Sequence, residues 1–411
     1  MSFAITDSPT HTNFQIREDI LELQASLVQW RRDFHRFPEL GFKEKRTSRA
    51  IAEKLTAWGI PHQTGLAKTG ILATITGKKI TGKKPTSNHK VLAIRADMDA
   101  LPIQEENIVS YKSQIDNVMH ACGHDGHTAI AIGTAKYLWE HRDRFSGTVK
   151  IIFQPAEEGP GGAKPMIEAG VLENPQVDAL IGLHLWNSLP LGTVGVRAGA
   201  LMAATEYFQC KIMGRGGHGA LPHQTIDSIL VAAQVVNTMH TIVSRNINPL
   251  ESAVISIGEF HAGSANNIIA DSARISGTVR FFNPEVGAKL ALRIEEAIAG
   301  VCKAHGATYE LKYTKLYPAV INDDAIAELV RSVAETVIET PAGIVPECQT
   351  MGGEDVSFFL EAVAGCYFFL GSANPDKGLA YPHHHPRFNF DETALATGVE
   401  IFARCVEKFL D

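Results

Sequence analysis

The chain has 411 residues, of which 45% are hydrophobic and 20% are charged, and its formal net charge is −7. This composition excludes a disordered chain, a collagen-like repeat and a small disulfide-stapled protein. The net negative charge argues against a nucleic-acid partner or an anionic membrane surface. The length predicts two domains, because one hydrophobic core stops growing well below this size. Histidine is the commonest metal ligand, and the chain contains 17.

The cysteines and the start of the chain indicate where the protein is found. Six cysteines are scattered without CxxC spacing, mostly among apolar neighbours. The first 15 residues lack a basic segment followed by an apolar one, and no apolar stretch is long enough for a membrane span. We therefore expect a cytoplasmic protein with free thiols and no membrane contact.

The first half of the chain alternates between helical and strand patterns. Residues 17–58 read as amphipathic helix interrupted by a turn at 34–42, where Pro38 and Gly41 occur. Short apolar runs at 70–77 and 91–102 predict buried strands. The Lys-rich stretch 80–90 between them predicts a solvated loop or hairpin.

Further strands are predicted at 148–159 and 177–187, after a helix that follows MHACGHDGHT. Strands alternating with helices predict an α/β domain with a mixed, mostly parallel sheet. In such sheets ligands bind at the carboxyl ends of the strands. The predicted strands carry metal-binding or acidic side chains at that end, namely Asp97, Asp99, Glu157, Glu158 and His184.

From about residue 203 the pattern becomes βαββαβ, the order of a ferredoxin-like α+β domain. Helical periodicity returns at 323–339, and the apolar run 365–371 predicts a central strand. We therefore expect a catalytic domain formed by residues 1–202 and 318–411, with the α+β domain inserted as residues 203–317.

Cys122 and His124 stand two residues apart in MHACGHDGH, at a turn before a helix. Thiolate and imidazole both suit zinc and other first-row divalent ions. Cys122 could instead be a papain-like nucleophile with a histidine base, or the segment could be a polar helix cap. A cap explains one of these residues but not the combination of Cys, His, Asp and His.

Glu157 and Glu158 are adjacent in QPAEEG at the end of a predicted strand. Neighbouring side chains of an extended segment point apart, so one carboxylate can bind metal while the other faces substrate. A metallohydrolase needs this pair as a metal ligand and a general base. The alternative is that the two glutamates are a solvent-exposed pair without a function, since such pairs are common in sequences.

Other candidate residues are less specific. His184 in LHLW is typical either of a ligand or of a core histidine, and one of His383, His384 and His385 could be a ligand. His218 in GRGGHGALPH is flanked by glycines, which let a backbone approach a ligand closely. Arg280 could bind a carboxylate through two hydrogen bonds or form a surface ion pair.

Together these motifs resemble the M20 metallopeptidase family, in its amidohydrolase branch of hippurate hydrolases, N-acyl-amino-acid amidohydrolases and indole-acetyl-amino-acid hydrolases. The matching segments occur in family order from residue 31 to 392: RRDFHRFPELGF, RADMDALPI, MHACGHDGHTA, QPAEEGPGGAKPMIEAG, GLHLWN, GRGGHGALPH, MGGEDVSFF and HHPRFNFDE.

The resemblance implies a centre of two divalent ions, which could be zinc, manganese, cobalt or nickel. Matched residue by residue, its ligands are Cys122, His124, Glu158, His184 and His384. Glu157 takes the position of the general base. In relatives, the histidine that matches His218 reaches the partner's active site across a dimer and stabilises the oxyanion.

The resemblance also implies that Asn267 and Arg280 contact substrate from the inserted lid domain, and that Asp99 and Glu354 support the ligands. The expected assembly is a homodimer, or a homotetramer, formed through that lid domain. The motifs do not reveal the acyl group, the amino acid or the native metal.

The expected reaction is hydrolysis of the amide bond of an N-acyl amino acid, which yields a carboxylic acid and a free amino acid. Glu157 would take a proton from the attacking water and return it to the leaving amine. The alternative on the same scaffold is a dipeptidase or carboxypeptidase acting on small peptides. A noncatalytic metal-binding protein and a cysteine hydrolase are rivals of other classes.

Overall fold

The computed structural model describes residues 14–79 and 89–411. The start of the chain and most of the predicted loop at 80–90 lie outside the described residues. The chain divides into two compact units. The first ends at Leu201 and resumes over Ile321–Cys348 and Phe358–Asp411, and the second comprises Met202–Val320 and Gln349–Ser357. The sequence-based division placed that last segment in the catalytic domain.

Sixteen strands occur within the described ranges. They are β1 (His62–Leu66), β2 (Gly70–Thr76), β3 (Val91–Asp97), β4 (Thr148–Gln154), β5 (Ala179–Pro190), β6 (Val194–Gly195), β7 (Gly199–Met202), β8 (Ala204–Met213), β9 (Gly217–His218), β10 (Ala253–Ala262), β11 (Ile268–Ile269), β12 (Ser272–Phe281), β13 (Thr308–Tyr317), β14 (Val320–Asn322), β15 (Ile344–Val345) and β16 (Gly365–Ala373).

The same ranges contain ten α-helices. They are α1 (Glu18–Leu21), α2 (Gln24–Arg36), α3 (Lys45–Ala57), α4 (His124–Glu140), α5 (Ala163–Glu168), α6 (Ser228–Asn246), α7 (Pro284–His305), α8 (Asp324–Val337), α9 (Ser357–Ala362) and α10 (Ala394–Leu410).

The first unit is built on an eight-stranded mixed sheet in the order β1-β2-β4-β3-β5-β16-β6-β15. Its centre is parallel: β3 pairs in parallel with β4 and β5, and β5 pairs in parallel with β16. Antiparallel pairing of β1 with β2 and of β2 with β4 extends one side. This arrangement confirms the predicted α/β class with a mostly parallel sheet.

The central strands β3, β4 and β16 are buried over their whole length, and most of their residues are apolar. The strand prediction for 177–187 ended too early, since β5 continues to Pro190. His184 therefore lies inside a strand, but the pairing of β3 with β5 ends at Gly182. The register places His184 level with Asp97, the last residue of β3.

Helices cover this sheet according to their apolar spacing. In α2 the buried residues are Leu27, Arg31, Phe34 and His35, which lie on one helical face. Helix α4 is buried on nearly all sides and packs against α2 and α10. Helix α10, which was not predicted from the sequence, is also almost fully buried.

The second unit has its own hydrophobic core beneath a four-stranded antiparallel sheet, in the order β10-β12-β8-β13. Helices α6 and α7 pack against this sheet. The chain order β8-α6-β10-β12-α7-β13 is the βαββαβ pattern that the sequence predicts. A two-residue ladder joins β9 to β11.

None of the helices in the part of the chain that the structure describes combines the length and the apolar character needed to span a bilayer. All six cysteines are free and buried. Their apolar neighbours in the sequence led to the same expectation.

Candidate active site

Four elements of the first unit bring the candidate ligands together. The first turn of α4 carries His124, two residues after Cys122, and the loop after β4 carries the two glutamates. Strand β5 and the loop between β16 and α10 supply one histidine each. Since the carboxyl ends of parallel strands meet at one edge of a sheet, these side chains converge there. The group consists of Cys122, His124, Glu157, Glu158, His184 and His384.

Within this group, ligand atoms of several triplets lie within 4.8 Å of one another. One triplet is Cys122, His124 and His184, and a second joins Cys122 to Glu158 and His384. The Cys122 Sγ atom lies 3.5 Å from His184 Nε2, and His384 Nε2 lies 3.1 Å from Glu158 Oε1. The two triplets share Cys122, so the geometry offers two adjacent positions for cations.

Hydrogen bonds fix which ring nitrogen each buried histidine presents. His184 Nδ1 donates to the carbonyl oxygen of Leu185 over 2.7 Å, which leaves Nε2 facing Cys122. His124 Nδ1 donates to the carbonyl oxygen of Asp99 over 3.0 Å. His124 Nε2 is buried and has no hydrogen-bond partner among the described residues. A buried ring nitrogen without a hydrogen-bond partner is in a position to bind a metal ion.

The three consecutive histidines have different surroundings. His384 places its Nε2 atom beside Glu158 Oε1. His383 Nδ1 lies 3.8 Å from Cys122 Sγ, its Nε2 accepts the backbone N–H of Asn187, and burial lowers its pKa to about 3. His385 stacks on the ring of Tyr381 with centroids 4.6 Å apart. Of the three, His384 is the one that joins Cys122 and Glu158 in a triplet with the spacing of a metal site.

A further acidic and histidine-rich triplet, Asp97, His124 and His127, has the spacing of a metal site but not its chemistry. Asp97 Oδ2 accepts from Arg95 and Oδ1 accepts from His127 Nδ1, both over 2.7 Å. His127 Nε2 accepts the backbone N–H of Leu185 over 2.8 Å. Both ring nitrogens of His127 are therefore engaged by the protein, and Asp97 and His127 together hold β5 through the Leu185 N–H.

Asp99 holds the backbone of both glutamates. Its Oδ1 accepts the N–H of Glu157 and its Oδ2 accepts the N–H of Glu158, each over 3.0 Å. Its own carbonyl orients His124. Asp99 therefore links three candidate site residues, which agrees with the supporting role that the resemblance implies.

The electrostatics of the cluster argue for a cation and against a cysteine nucleophile. Burial, and then the carboxylates of Glu158 and Glu157, raise the pKa of the Cys122 thiol well above its ordinary value. A papain-like nucleophile needs the opposite shift. Burial alone would lower the pKa of His124, but Asp97 and Asp99 outweigh it and raise this pKa to about 10. The carboxylates around Cys122 and His124 thus favour the binding of a cation in this cluster.

A buried network of hydrogen bonds around Arg31 and His35 was not predicted from the sequence. Arg31 Nε donates to Asp125 Oδ2 over 2.8 Å, and Arg31 Nη2 donates to Asn389 Oδ1 over 2.9 Å. His35 lies between Asp125 and Glu105, at 2.7 and 3.1 Å. Arg31 and His35 lie in the motif RRDFHRFPELGF. Their partners are 70 or more residues away in the sequence, and no local pattern identifies them.

Three predicted site residues belong to the second unit. His218 on β9 pairs with Ile268 on β11, and the N–H of Gly219 donates to the carbonyl of Asn267 over 2.8 Å. His218 and Asn267 are therefore neighbours, and both are exposed. Arg280 on β12 donates to the hydroxyl of Thr205 and forms no ion pair with a described residue. Their placement relative to the first unit stays a prediction.

Comparisons with known proteins place this geometry in a family. Two curated relatives are similar to the chain: thermostable carboxypeptidase 1 of Saccharolobus solfataricus, 39% identical over 96% of this chain and 98% of the relative, and N-acyl-L-amino acid amidohydrolase of Geobacillus stearothermophilus, 43% identical over 76% and 82%.

A solved structure from Bacillus subtilis, described as a dinuclear metal binding peptidase from the M20 family, superposes with a TM-score of 0.80. It is 35% identical and covers 95% of this chain and 99% of its own. The family model described as peptidase family M20/M25/M40 matches residues 93–408. The chain therefore belongs to peptidase family M20/M25/M40.

Proposed function

We propose that this protein is a metal-dependent amidohydrolase that cleaves N-acyl amino acids into a carboxylic acid and a free amino acid. The observation that carries the proposal is the cluster of sulfur, nitrogen and oxygen donors, buried except at His384 and Glu158, with a second glutamate, Glu157, beside it. The similarity to an N-acyl-L-amino acid amidohydrolase and to an N-acetylcysteine deacetylase supports the substrate class.

Two divalent ions fit this cluster by its donor chemistry. The fixed ring of His184 offers a neutral nitrogen donor, the unpartnered Nε2 of His124 offers a second one once an ion displaces its proton, and Cys122 and Glu158 offer anionic donors. Zinc, manganese, cobalt and nickel all accept such a set. We assign the ligands as Cys122, His124, Glu158, His184 and His384.

When bound, the ions supply Lewis acidity, which makes water a nucleophile near neutral pH and polarises an amide carbonyl. Glu157 is buried, and its Oε2 lies 3.9 Å from His124 Nε2, so its carboxylate faces the cluster. Its backbone is held by Asp99. We assign Glu157 as the general base that takes the proton from water and returns it to the leaving nitrogen.

The second unit would supply substrate contacts as a lid. Arg280 is partly buried, burial lowers its pKa, and no described carboxylate neutralises it. A guanidinium in this state suits the free carboxylate of an amino acid through two hydrogen bonds. We assign His218 to the oxyanion and Asn267 to the substrate, with His218 acting in a partner's site within a homodimer formed through this unit, or within a homotetramer.

The first experiment is an activity panel of N-acyl amino acids, run after chelation and after readdition of single metals. We expect activity to disappear with chelation and to return with at least one of the four ions. A noncatalytic binding protein would hydrolyse no member of the panel at full metal occupancy. A cysteine hydrolase would keep its activity in chelator.

The second experiment is Glu157→Gln, which removes the base but keeps the shape of the side chain. We expect kcat to fall by at least about 100-fold, since general-base catalysis contributes about that much, while the metal stoichiometry stays unchanged. Glu168→Gln, at the exposed end of α5, is the matched control and should leave kcat unaltered. Full activity of Glu157→Gln would refute the base assignment.

A carboxypeptidase or dipeptidase activity is the second candidate. The similarity to thermostable carboxypeptidase 1 extends over nearly the whole of both chains, which favours it. The two candidates differ in whether the substrate's amino end is free. Comparing hippurate with a free dipeptide at equal concentration distinguishes them, and we expect the higher kcat/KM for the acylated substrate.

Two expectations concern the whole protein. The free and buried state of all six cysteines supports the proposal of a reducing, cytoplasmic environment. The homodimer or homotetramer is a proposal that sedimentation equilibrium tests directly, with a monomer as the contradicting result.

A further inference from the structure

The loop that follows β4 has a strained residue immediately before the two glutamates. Ala156 has a φ of 56°, in the left-handed region that residues other than glycine rarely adopt. Such a conformation persists only where the surrounding structure enforces it. What enforces it at Ala156 also determines where Glu157 and Glu158 point.

Two buried carboxylates hold three consecutive backbone amides of this loop. Glu44 Oε1 accepts the N–H of Ala156 over 2.9 Å. Asp99 accepts the next two amides, those of Glu157 and Glu158. The strained residue is therefore held from the segment that precedes α3, which is more than 100 residues away in the sequence.

Glu44 is itself held firmly. Its Oε2 accepts the hydroxyl of Thr69 over 2.6 Å, and its side chain is fully buried. Burial raises the pKa of this carboxyl, with the hydrogen bonds from Thr69 and Ala156 acting against it. Both of its oxygens are engaged by the protein, so Glu44 serves as a bridge between the loop before β2 and the loop after β4.

The segment around Glu44 also packs directly against the strained residue. A Cβ added at Gly41 would lie 3.0 Å from the Cβ of Ala156 and 3.1 Å from the carbonyl oxygen of Gly159. No larger residue fits at Gly41 without displacing one of these neighbours. The sequence Gly41 to Glu44 therefore constrains the same loop by a contact and by a hydrogen bond.

We infer that Glu44 is a positioning residue for Glu157 and Glu158, acting through the backbone of Ala156. This inference rests on the proposed function, because it assumes that Glu157 is the base and Glu158 a metal ligand. It also gives a role to part of the motif RRDFHRFPELGF and to the glutamate that follows it, neither of which the proposed chemistry uses.

The test compares Glu44→Ala, Glu44→Gln and the double variant Glu44→Ala/Ala156→Gly. We expect Glu44→Ala to lower kcat by about 10- to 100-fold and to weaken metal binding, with little change in KM, as loss of a partner that orients a ligand does. Glu44→Gln should retain most activity, because its amide oxygen can still accept the Ala156 N–H. The double variant should regain part of the loss, because glycine adopts a left-handed backbone without a Cβ clash.

Glu39→Ala is the matched control for a simple loss of stability. The Glu39 carboxylate accepts the backbone N–H groups of Arg46 and Thr47 in the same segment but does not bond to the loop after β4. We expect it to lower the melting temperature while kcat stays within about twofold of wild type.

Three results would overturn the inference: wild-type kcat and metal affinity in Glu44→Ala, equal damage from Glu44→Gln, or an equal loss of kcat in Glu39→Ala. Metal affinity is measured by competition with a chromophoric chelator and needs no substrate. If wild type hydrolyses no amide, the proposed function fails, while the chelator titration still reports whether Glu44 orders the Glu158 loop.

Discussion

His124 and His184 each have one ring nitrogen hydrogen-bonded to a backbone carbonyl and the other turned to the cluster. This arrangement fixes the orientation of both rings before any ion binds, so metal binding requires no reorientation of either ring. Burial, followed by the neighbouring His127 and His383, lowers the pKa of His184 well below its ordinary value. The ring is thus kept neutral, which is the form that coordinates a metal.

His384 and its neighbour His385 provide a matched pair for testing one ligand. His384→Ala removes a nitrogen that lies 3.1 Å from Glu158, so we expect metal affinity to fall by at least about tenfold. His385→Ala removes a stacking contact with Tyr381 and a hydrogen bond from the Arg387 N–H, neither of which involves a candidate ligand, and should leave affinity unchanged. Equal effects of the two substitutions, measured by chelator competition, would contradict the assignment.

The candidate ligands could be predicted from the sequence because each lies in a short motif with chemically distinctive neighbours. Cys122 stands two residues before His124, and Glu157 is adjacent to Glu158. The residues that hold them could not be predicted in this way. Glu44 is an ordinary acidic residue before a helix, and its function depends on a hydrogen bond to Ala156 that only the folded chain creates.

At the scale of elements, α2 and α4 are joined by buried charges. Arg31 of α2 binds Asp125 in the first turn of α4 and also contacts Asn389, in the segment that follows the three histidines. The Arg31 and Asp125 side chains are both fully buried. One guanidinium thus fixes two of the segments that carry ligands.

Replacing either of two adjacent arginines tests this connection. Arg31→Met leaves the Asp125 carboxylate buried without its main partner, and we expect a loss of about 3–5 kcal/mol in the free energy of unfolding. Arg32 pairs with Glu392 but has a side chain that is 42% exposed, so Arg32→Met should cost at most about 1 kcal/mol. Urea unfolding measures both, and equal costs would contradict the connection.

Helices and strands were predicted correctly where the residue pattern is long. They were missed or misplaced where contacts with distant segments determine the secondary structure. The apolar run of β16 and the alternation of β8 with α6 gave correct elements. Strands β9 and β11 have two residues each and exist only through their mutual pairing. The end of β5 was misplaced because its last residues pair with β16 rather than with β3.

At the scale of the whole molecule, the described residues form two separate hydrophobic cores, and all five proposed metal ligands belong to the first unit. That unit also contains all four tryptophans, which are Trp30, Trp58, Trp139 and Trp186. Tryptophan fluorescence therefore reports unfolding of the unit that we expect to bind metal.

Metal binding should raise the fluorescence-detected unfolding temperature. An ion present at 100 times its dissociation constant stabilises the folded state by about 2.7 kcal/mol, which corresponds to several degrees. Magnesium at the same concentration is the control, since it prefers oxygen ligands and should have little effect. An unchanged transition with zinc, manganese, cobalt and nickel alike would argue against the proposed centre.

The position of His384 within the chain has a consequence for how the enzyme matures. Its loop follows β16, a central strand of the sheet, and its backbone N–H donates to the carbonyl of Ala121, next to Cys122. A nascent chain on the ribosome thus carries Cys122 long before it carries the last ligand or the strand that completes the sheet. If His384 is the last ligand, as proposed, capture of both ions follows translation of β16, and we expect a partly synthesised chain to have no hydrolytic activity towards amides.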